Sequence, residues 1–342
     1  MKKIIAMLCV AVGSLIAMPG FLTAEVITLR LADQNPETGW GPTHAMLPWI
    51  KKVEDATGGR VKIEPYFSQT LAKGKDSWTA VKNGIADMAW CAHGYWPGMT
   101  PMASVITLAG LPIENAEKGS EVLWSLYEKY PEVREEYKDN HVLFLFTTAP
   151  YHLITTEKQV KVLDDLKGMK IRTFGDQQPA QMKAYGAVPM SIPMPDTYSA
   201  LQKGVVDGMA APWDAIFSFR LYEVAPKFTY APFGVLSFSV IVNKDKWASL
   251  PEDIKEAINS VSGMEAAKFF GANYFDSAKP GVLKKAKETG HEITEYAPPA
   301  EELKKWEEIG GQPLWENWVK QMEEKGHPKA REILNSTLDM VQ

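Results

Sequence analysis

The stretch Trp78-Thr-Ala-Val-Lys-Asn-Gly-Ile-Ala-Asp87 returns later in the chain as Tyr198-Ser-Ala-Leu-Gln-Lys-Gly-Val-Val-Asp207. Each copy reads as an amphipathic helix stopped by a glycine, Gly84 or Gly204, followed by a strand start carrying Asp87 or Asp207. Each then runs into a strand of small residues, Met88 to Ala92 or Gly208 to Ala211. Two readings stand: chance similarity over ten positions, or two similar α/β lobes built on one helix–glycine–strand unit. The copies lie too far apart for a solenoid.

The chain around the first copy has the same grammar. In Val26 to Ala32, Ile27, Leu29 and Leu31 alternate with Thr28 and Arg30, the period of a half-buried strand. A Pro/Gly-rich loop follows, then a helix over 43–57 stopped at Gly58-Gly59, then a strand over 61–67. That β-α-β order predicts an α/β fold with a largely parallel sheet. Around the second copy, the spacing predicts strands at 141–148, 153–156 and 233–243, the first two being a plausible crossing between lobes. Long helices are expected over 251–276 and 299–325, of a length that often braces more than one lobe. A closing helix is expected over 328–340.

Length and composition narrow the function. The 342 residues allow one large core or two ordinary ones, and 45% apolar with 23% charged is ordinary for a soluble domain. With a formal charge of −5 and no dense basic run, no nucleic-acid partner is expected. Lys2 and Lys3, the apolar run from Ile4 to Ala17, and the small residues Thr23 and Ala24 have the layout of a secretory signal peptide cleaved after Ala24. A retained membrane anchor is the alternative, although the run is shorter than the roughly 20 residues a spanning helix needs. Cleavage would remove Cys9 and leave Cys91 alone, so no internal disulfide is expected.

Catalytic signatures are missing. There is no GxSxG elbow, phosphate loop, GxGxxG or HExxH, and none of the six histidines has a metal-ligand partner at short spacing. No cofactor or metal site is expected. Binding offers more. In open α/β sheets, ligands sit beyond the carboxyl ends of the strands. Those ends are Cys91 to Tyr95, Arg172 to Gly175 and Ala210 to Trp213. Arg172 closes an apolar strand, where its rigid fork of donors could grip a carboxylate or sulfonate through two parallel hydrogen bonds. The alternative is an ion pair with an internal Asp or Glu.

Two motifs at this spacing, Leu163-Asp-Asp-Leu-Lys-Gly-Met-Lys-Ile-Arg172 and Met194-Pro-Asp-Thr-Tyr-Ser-Ala-Leu-Gln-Lys-Gly-Val-Val-Asp-Gly208, resemble the substrate-binding proteins of tripartite ATP-independent periplasmic (TRAP) transporters. The resemblance runs from about Val26 to the C-terminus. It implies a periplasmic-binding-protein-like clamp of two α/β lobes joined by crossing strands and a long bracing helix. Residues 25–149 with 236–277 would form lobe I, and 150–235 with 278–342 lobe II. It also implies a periplasmic location, an organic-acid ligand paired with Arg172, and a small and a large membrane subunit as partners. His152 falls where many relatives carry a second arginine, and Ala211 near where many place an asparagine. Trp213 could substitute with an indole contact. The segment His93-Gly-Tyr-Trp-Pro-Gly98 resembles a Tyr-x-Pro-Gly loop of one branch of the family. Trp90, Tyr95, Trp96, Phe174 and Trp213 could then box a compact anion. Hydroxyl partners are comparatively few. A small monocarboxylate, sulfonate, aryl acid or keto acid is therefore expected over a polyhydroxylated sugar acid.

Overall fold

A computed structural model of the chain describes residues 26–231 and 233–342. The leader reading of residues 1–24 lies outside the described residues. Among the described residues, eleven strands form two sheets. The first contains β1 (Ile27–Ala32), β2 (Val61–Tyr66), β3 (Met88–Ala92), β4 (His141–Thr147) and β10 (Ser237–Val242), in the order β2-β1-β3-β10-β4. The second contains β5 (His152–Thr155), β6 (Lys170–Thr173), β7 (Val188–Ser191), β8 (Gly208–Ala211), β9 (Lys227–Thr229) and β11 (Thr294–Tyr296), in the order β11-β9-β5-β8-β6-β7. In each sheet three parallel strands meet one antiparallel strand from the crossover: β10 runs against β3, and β5 against β8. The chain is therefore a two-lobed α/β clamp.

The sequence echo has a structural cause. Helices Ser77–Lys82 and Thr197–Gln202 end at Gly84 (φ +72°) and Gly204 (φ +69°), both in the left-handed region that favours glycine. The aspartate that follows then ties two parallel strands together. Asp87 Oδ2 accepts from Arg30 N–H at 2.9 Å, and Asp207 Oδ2 accepts from Lys170 N–H at 2.7 Å. The backbone returns the bond each time, Asp87 N–H to Arg30 O and Asp207 N–H to Lys170 O. The same local code thus builds the same corner of both sheets.

The lobes join where the two crossovers run side by side. Thr148 N–H donates to Leu236 O at 3.0 Å, Leu236 N–H to Thr148 Oγ1 at 3.0 Å, and Tyr151 N–H to Gly234 O at 3.1 Å. Each crossover is a pair of strands with an irregular link, not one continuous strand, so the 233–243 strand starts only at Ser237. The bracing helix also differs from expectation. The run over 251–276 breaks at Ser262-Gly263, where Gly263 has φ +61°. A new helical run then continues from Gly263–Phe270 through a π-turn, Gly271–Asp276, into Ala278–Glu288. Its first part packs on helix Ala116–Lys129 and β4, and its last on helix Trp213–Ser218, so this run spans both lobes. The 299–325 helix divides at Gly311 into Ala300–Gly310 and Gln312–Glu324. The closing helix Ala330–Val341 packs on Ala116–Lys129, beside the first sheet.

Burial concentrates in interlocking aromatics under the first sheet. Trp49, Phe144, Phe146 and Phe270 are essentially solvent-free and meet at 4.7–6.2 Å between ring centroids. Each such side chain contributes about 1.5–3 kcal/mol by leaving water. That core fixes the strand ends from which the site is built. Among the described residues, no helix is long and apolar enough to cross a membrane.

Candidate functional site

Between the lobes lies a cavity. Lobe I supplies Gln34, Asn35, Trp90, Ala92, Phe238 and Phe275 to its wall, and lobe II supplies Arg172, Phe174, Met194, Pro212, Asp214, Ala215 and Phe219. Thr148 and Tyr151 reach it from the crossover. Apart from half-buried Phe219, these residues are buried, so the clamp is closed around the space. Contacts between the lobes hold that closure. Met194 N–H donates to Tyr95 Oη at 3.3 Å, Gly98 N–H to Asp176 Oδ2 at 3.2 Å, and Trp40 N–H to Ser218 Oγ at 3.0 Å.

Arg172 is 2% exposed. An arginine is rarely buried without a partner, yet no carboxylate lies within 4 Å of this guanidinium among the described residues. Its Nε donates to Ile192 O at 2.9 Å, and its Cζ sits 5.1 Å from the centroid of the Phe174 ring. Burial pulls its pKa below the ordinary arginine value, opposed by the phenols of Tyr151 and Tyr95. One edge of the fork is thus anchored to backbone, and the two Nη atoms make no hydrogen bond to the described residues. A carboxylate or sulfonate entering the cavity would find a pre-oriented cation in a medium poor in water, where such a pair is strong.

The expected site residues divide. Arg172, Phe174 and Trp90 line the cavity. Tyr95 stands behind the wall, where its edge meets Phe174 at 4.7 Å and its hydroxyl donates to Gln34 Oε1 at 2.7 Å. His93 is not in the cavity. Its Nδ1 lies 3.1 Å from Ser237 Oγ and 3.3 Å from the Tyr137 hydroxyl, and its Nε2 lies 3.0 Å from Ser239 Oγ. Burial lowers its pKa to about 3, so it is neutral. His152 faces a separate surface groove with Tyr230, Phe233 and Trp315, and its Nδ1 lies 3.2 Å from Ala231 O. Burial lowers its pKa to about 4, opposed by the Ala231 contact, so it supplies no second cation. Trp213 turns away to stack on Phe228 at 4.1 Å. Ala211 is buried opposite His152 in the β5–β8 pair. Trp96 donates from Nε1 to Lys75 O on lobe I.

Other contributors were not read from the sequence. A Cβ on Gly94 would meet the Phe174 ring at 2.6 Å and Gly175 Cα at 2.9 Å, so the missing side chain lets the lobes approach. Asp214 is 7% exposed, and burial pushes its carboxyl well above the usual range. Asp33 lies next to the cavity residues Gln34 and Asn35. Burial raises its pKa to about 7, against hydrogen bonds from Asn35 N and Nδ2.

A sequence model of the bacterial extracellular solute-binding protein family 7 matches residues 39–321. The fold is similar to a TRAP solute-binding protein from Rhodoferax ferrireducens T118 in complex with copurified benzoate. The TM-score is 0.87 at 26% identity, covering 92% of this chain and 98% of that one. It is similar to a marine metagenome TRAP solute-binding protein specific for aromatic acid ligands, in complex with 3-hydroxybenzoate. Here the TM-score is 0.86 at 27% identity, covering 93% and 98%. In sequence, the chain is 26% identical over 329 residues to the C4-dicarboxylate-binding periplasmic protein of Rhodobacter capsulatus, covering 90% of this chain and 91% of that one.

Proposed function

The chain belongs to the bacterial extracellular solute-binding protein family 7, as a TRAP-type solute-binding protein, and on that premise we propose that it captures a small aryl carboxylate between its lobes and delivers it to the two membrane subunits of a TRAP transporter. The observation that carries this reading is Arg172, buried in the inter-lobe cavity with no acidic partner. Phe174, Phe238 and Phe275, with Met194, give the cavity an apolar body that suits an aromatic ring. Similarity to structures holding benzoate and 3-hydroxybenzoate favours the same ligand class.

In the mechanism, the open form presents Arg172 to solvent on one lobe. The acid binds that lobe first through paired N–H donors. Aromatic contacts from the other lobe then favour the closed form, which the ligand selects by its differential affinity. The segments that pass between the lobes, and so must carry any hinge, are the crossover pair at Thr148 and Leu236 and the helical run through the π-turn at 271–276. The closed surface docks on the membrane subunits outside the cytoplasm.

A thermal-shift screen tests it. Aryl and short aliphatic carboxylates should raise the melting temperature, because they bind only the folded clamp. Their uncharged amides should not. A panel in which neutral compounds stabilise and no acid does would sink the proposal.

A further inference from the structure

The cavity wall carries further polar groups that the pairing of an acid with Arg172 leaves unused. Asp214 lines it from helix Trp213–Ser218, and its Oδ1 is buried with no hydrogen-bond partner among the described residues. Trp90 lines it from the opposite lobe, and its Nε1–H is buried in the same state. The hydroxyl of Tyr274, whose ring lies 6.1 Å from that of Trp90, is a third buried polar atom without a partner. Asp214 does not neutralise Arg172, since the two make no ion pair within 4 Å. Leaving such groups buried and unpaired costs free energy. An occupant that satisfied them would recover that energy.

The chemistry of the pair restricts the occupant. An indole N–H only donates, whereas a carboxyl oxygen accepts. A group that meets both must accept from Trp90 and donate to Asp214. A hydroxyl does so. An ammonium has no lone pair for the indole, and a methyl has neither lone pair nor polar proton. The remaining wall is aromatic. We infer, on the reading of the chain as an acid-binding clamp, that it selects hydroxylated aryl acids, with Arg172 taking the carboxylate and Asp214 together with Trp90 taking the hydroxyl. Burial also holds Asp214 far above the usual carboxyl range, which suits a neutral hydroxyl better than a cation.

The test is calorimetry with benzoate, the three hydroxybenzoates and the three matched methylbenzoates. The parent should bind at least one hydroxybenzoate tenfold or more tighter than its methyl counterpart. Asp214→Leu should bring that ratio to within threefold. Trp90→Phe should shrink it too, and it carries the comparison alone if Asp214→Leu does not fold. A parent with no preference for hydroxyl over methyl, or a folded variant that keeps the full ratio, overturns the inference. A parent that binds only non-aromatic acids, in an Arg172-dependent way, overturns the inference but leaves the clamp standing. A parent that binds no acid overturns both.

Discussion

Arg172 Nε donates to Ile192 O at 2.9 Å, so the guanidinium is held by backbone rather than by an opposing charge. A buried charge without a counter-ion costs stability, and replacing it with an apolar side chain of similar length relieves that cost. Arg172→Met should therefore leave the ligand-free protein as stable as the parent or more stable by about 1–3 kcal/mol. Urea unfolding reads this directly. A clear loss of stability would mean that the cation is satisfied within the fold.

Closure depends on a missing side chain. A Cβ at Gly94 would overlap the Phe174 ring at 2.6 Å across the lobe boundary. Gly94→Ala should hold the lobes apart. Small-angle scattering should show a larger radius of gyration in the presence of ligand, and affinity should fall by about tenfold, or about 1.4 kcal/mol. A variant that closes like the parent would show that the loop yields.

His93 is a structural residue in this account. Its ring joins Ser237 and Ser239 of β10 to Tyr137 in the interior of lobe I. His93→Ala should destabilise the fold by about 2 kcal/mol, because buried hydroxyls lose their partner, and should change ligand affinity less than threefold. Denaturation and calorimetry on the same variant separate the two effects.

Asp33 gives a pH signature. Its pKa is raised by burial from 3.8 to about 7 in the fold. The protonated form is therefore the one the fold favours. The stability this confers is complete below pH 3.8 and is lost as pH rises through about 7. The partly opposing groups are His93, at about 3, and His141 and His152, both at about 4, which cost stability as pH falls below 6.5. Asp33→Asn cancels only the first effect. Between pH 5 and 8 the parent should lose stability relative to Asp33→Asn, by about 2.7 kcal/mol. Parallel stability–pH curves for the two proteins would contradict the assignment.

Much of the fold was legible because its code is local. The glycine stops at Gly84 and Gly204 and the aspartates after them act within a few residues of their own helix, so the duplication shows in the letters. Arg172 was legible because a cation at the end of Lys170–Thr173 conflicts with the burial of that strand. Other features depend on distant chain. His93 is claimed by serines on β10, far along the sequence, and spacing cannot show that. After Pro212 the helix turns Trp213 onto Phe228 and Asp214 into the cavity, so the aromatic residue was an easier candidate than the acid beside it. The long helices were read through Gly263 and Gly311, since a single glycine only weakens a helical pattern. Here the left-handed φ of Gly263 and the non-helical ψ of Gly311, −113°, break it.

The most direct test is a calorimetric titration of the best-bound acid into the parent and into Arg172→Met, with folding of both verified by circular dichroism. The pairing of a ligand acid with the unshared Nη edge predicts a loss of at least about 100-fold in affinity, or about 2.7 kcal/mol. A folded variant that binds the acid within threefold of the parent would contradict it.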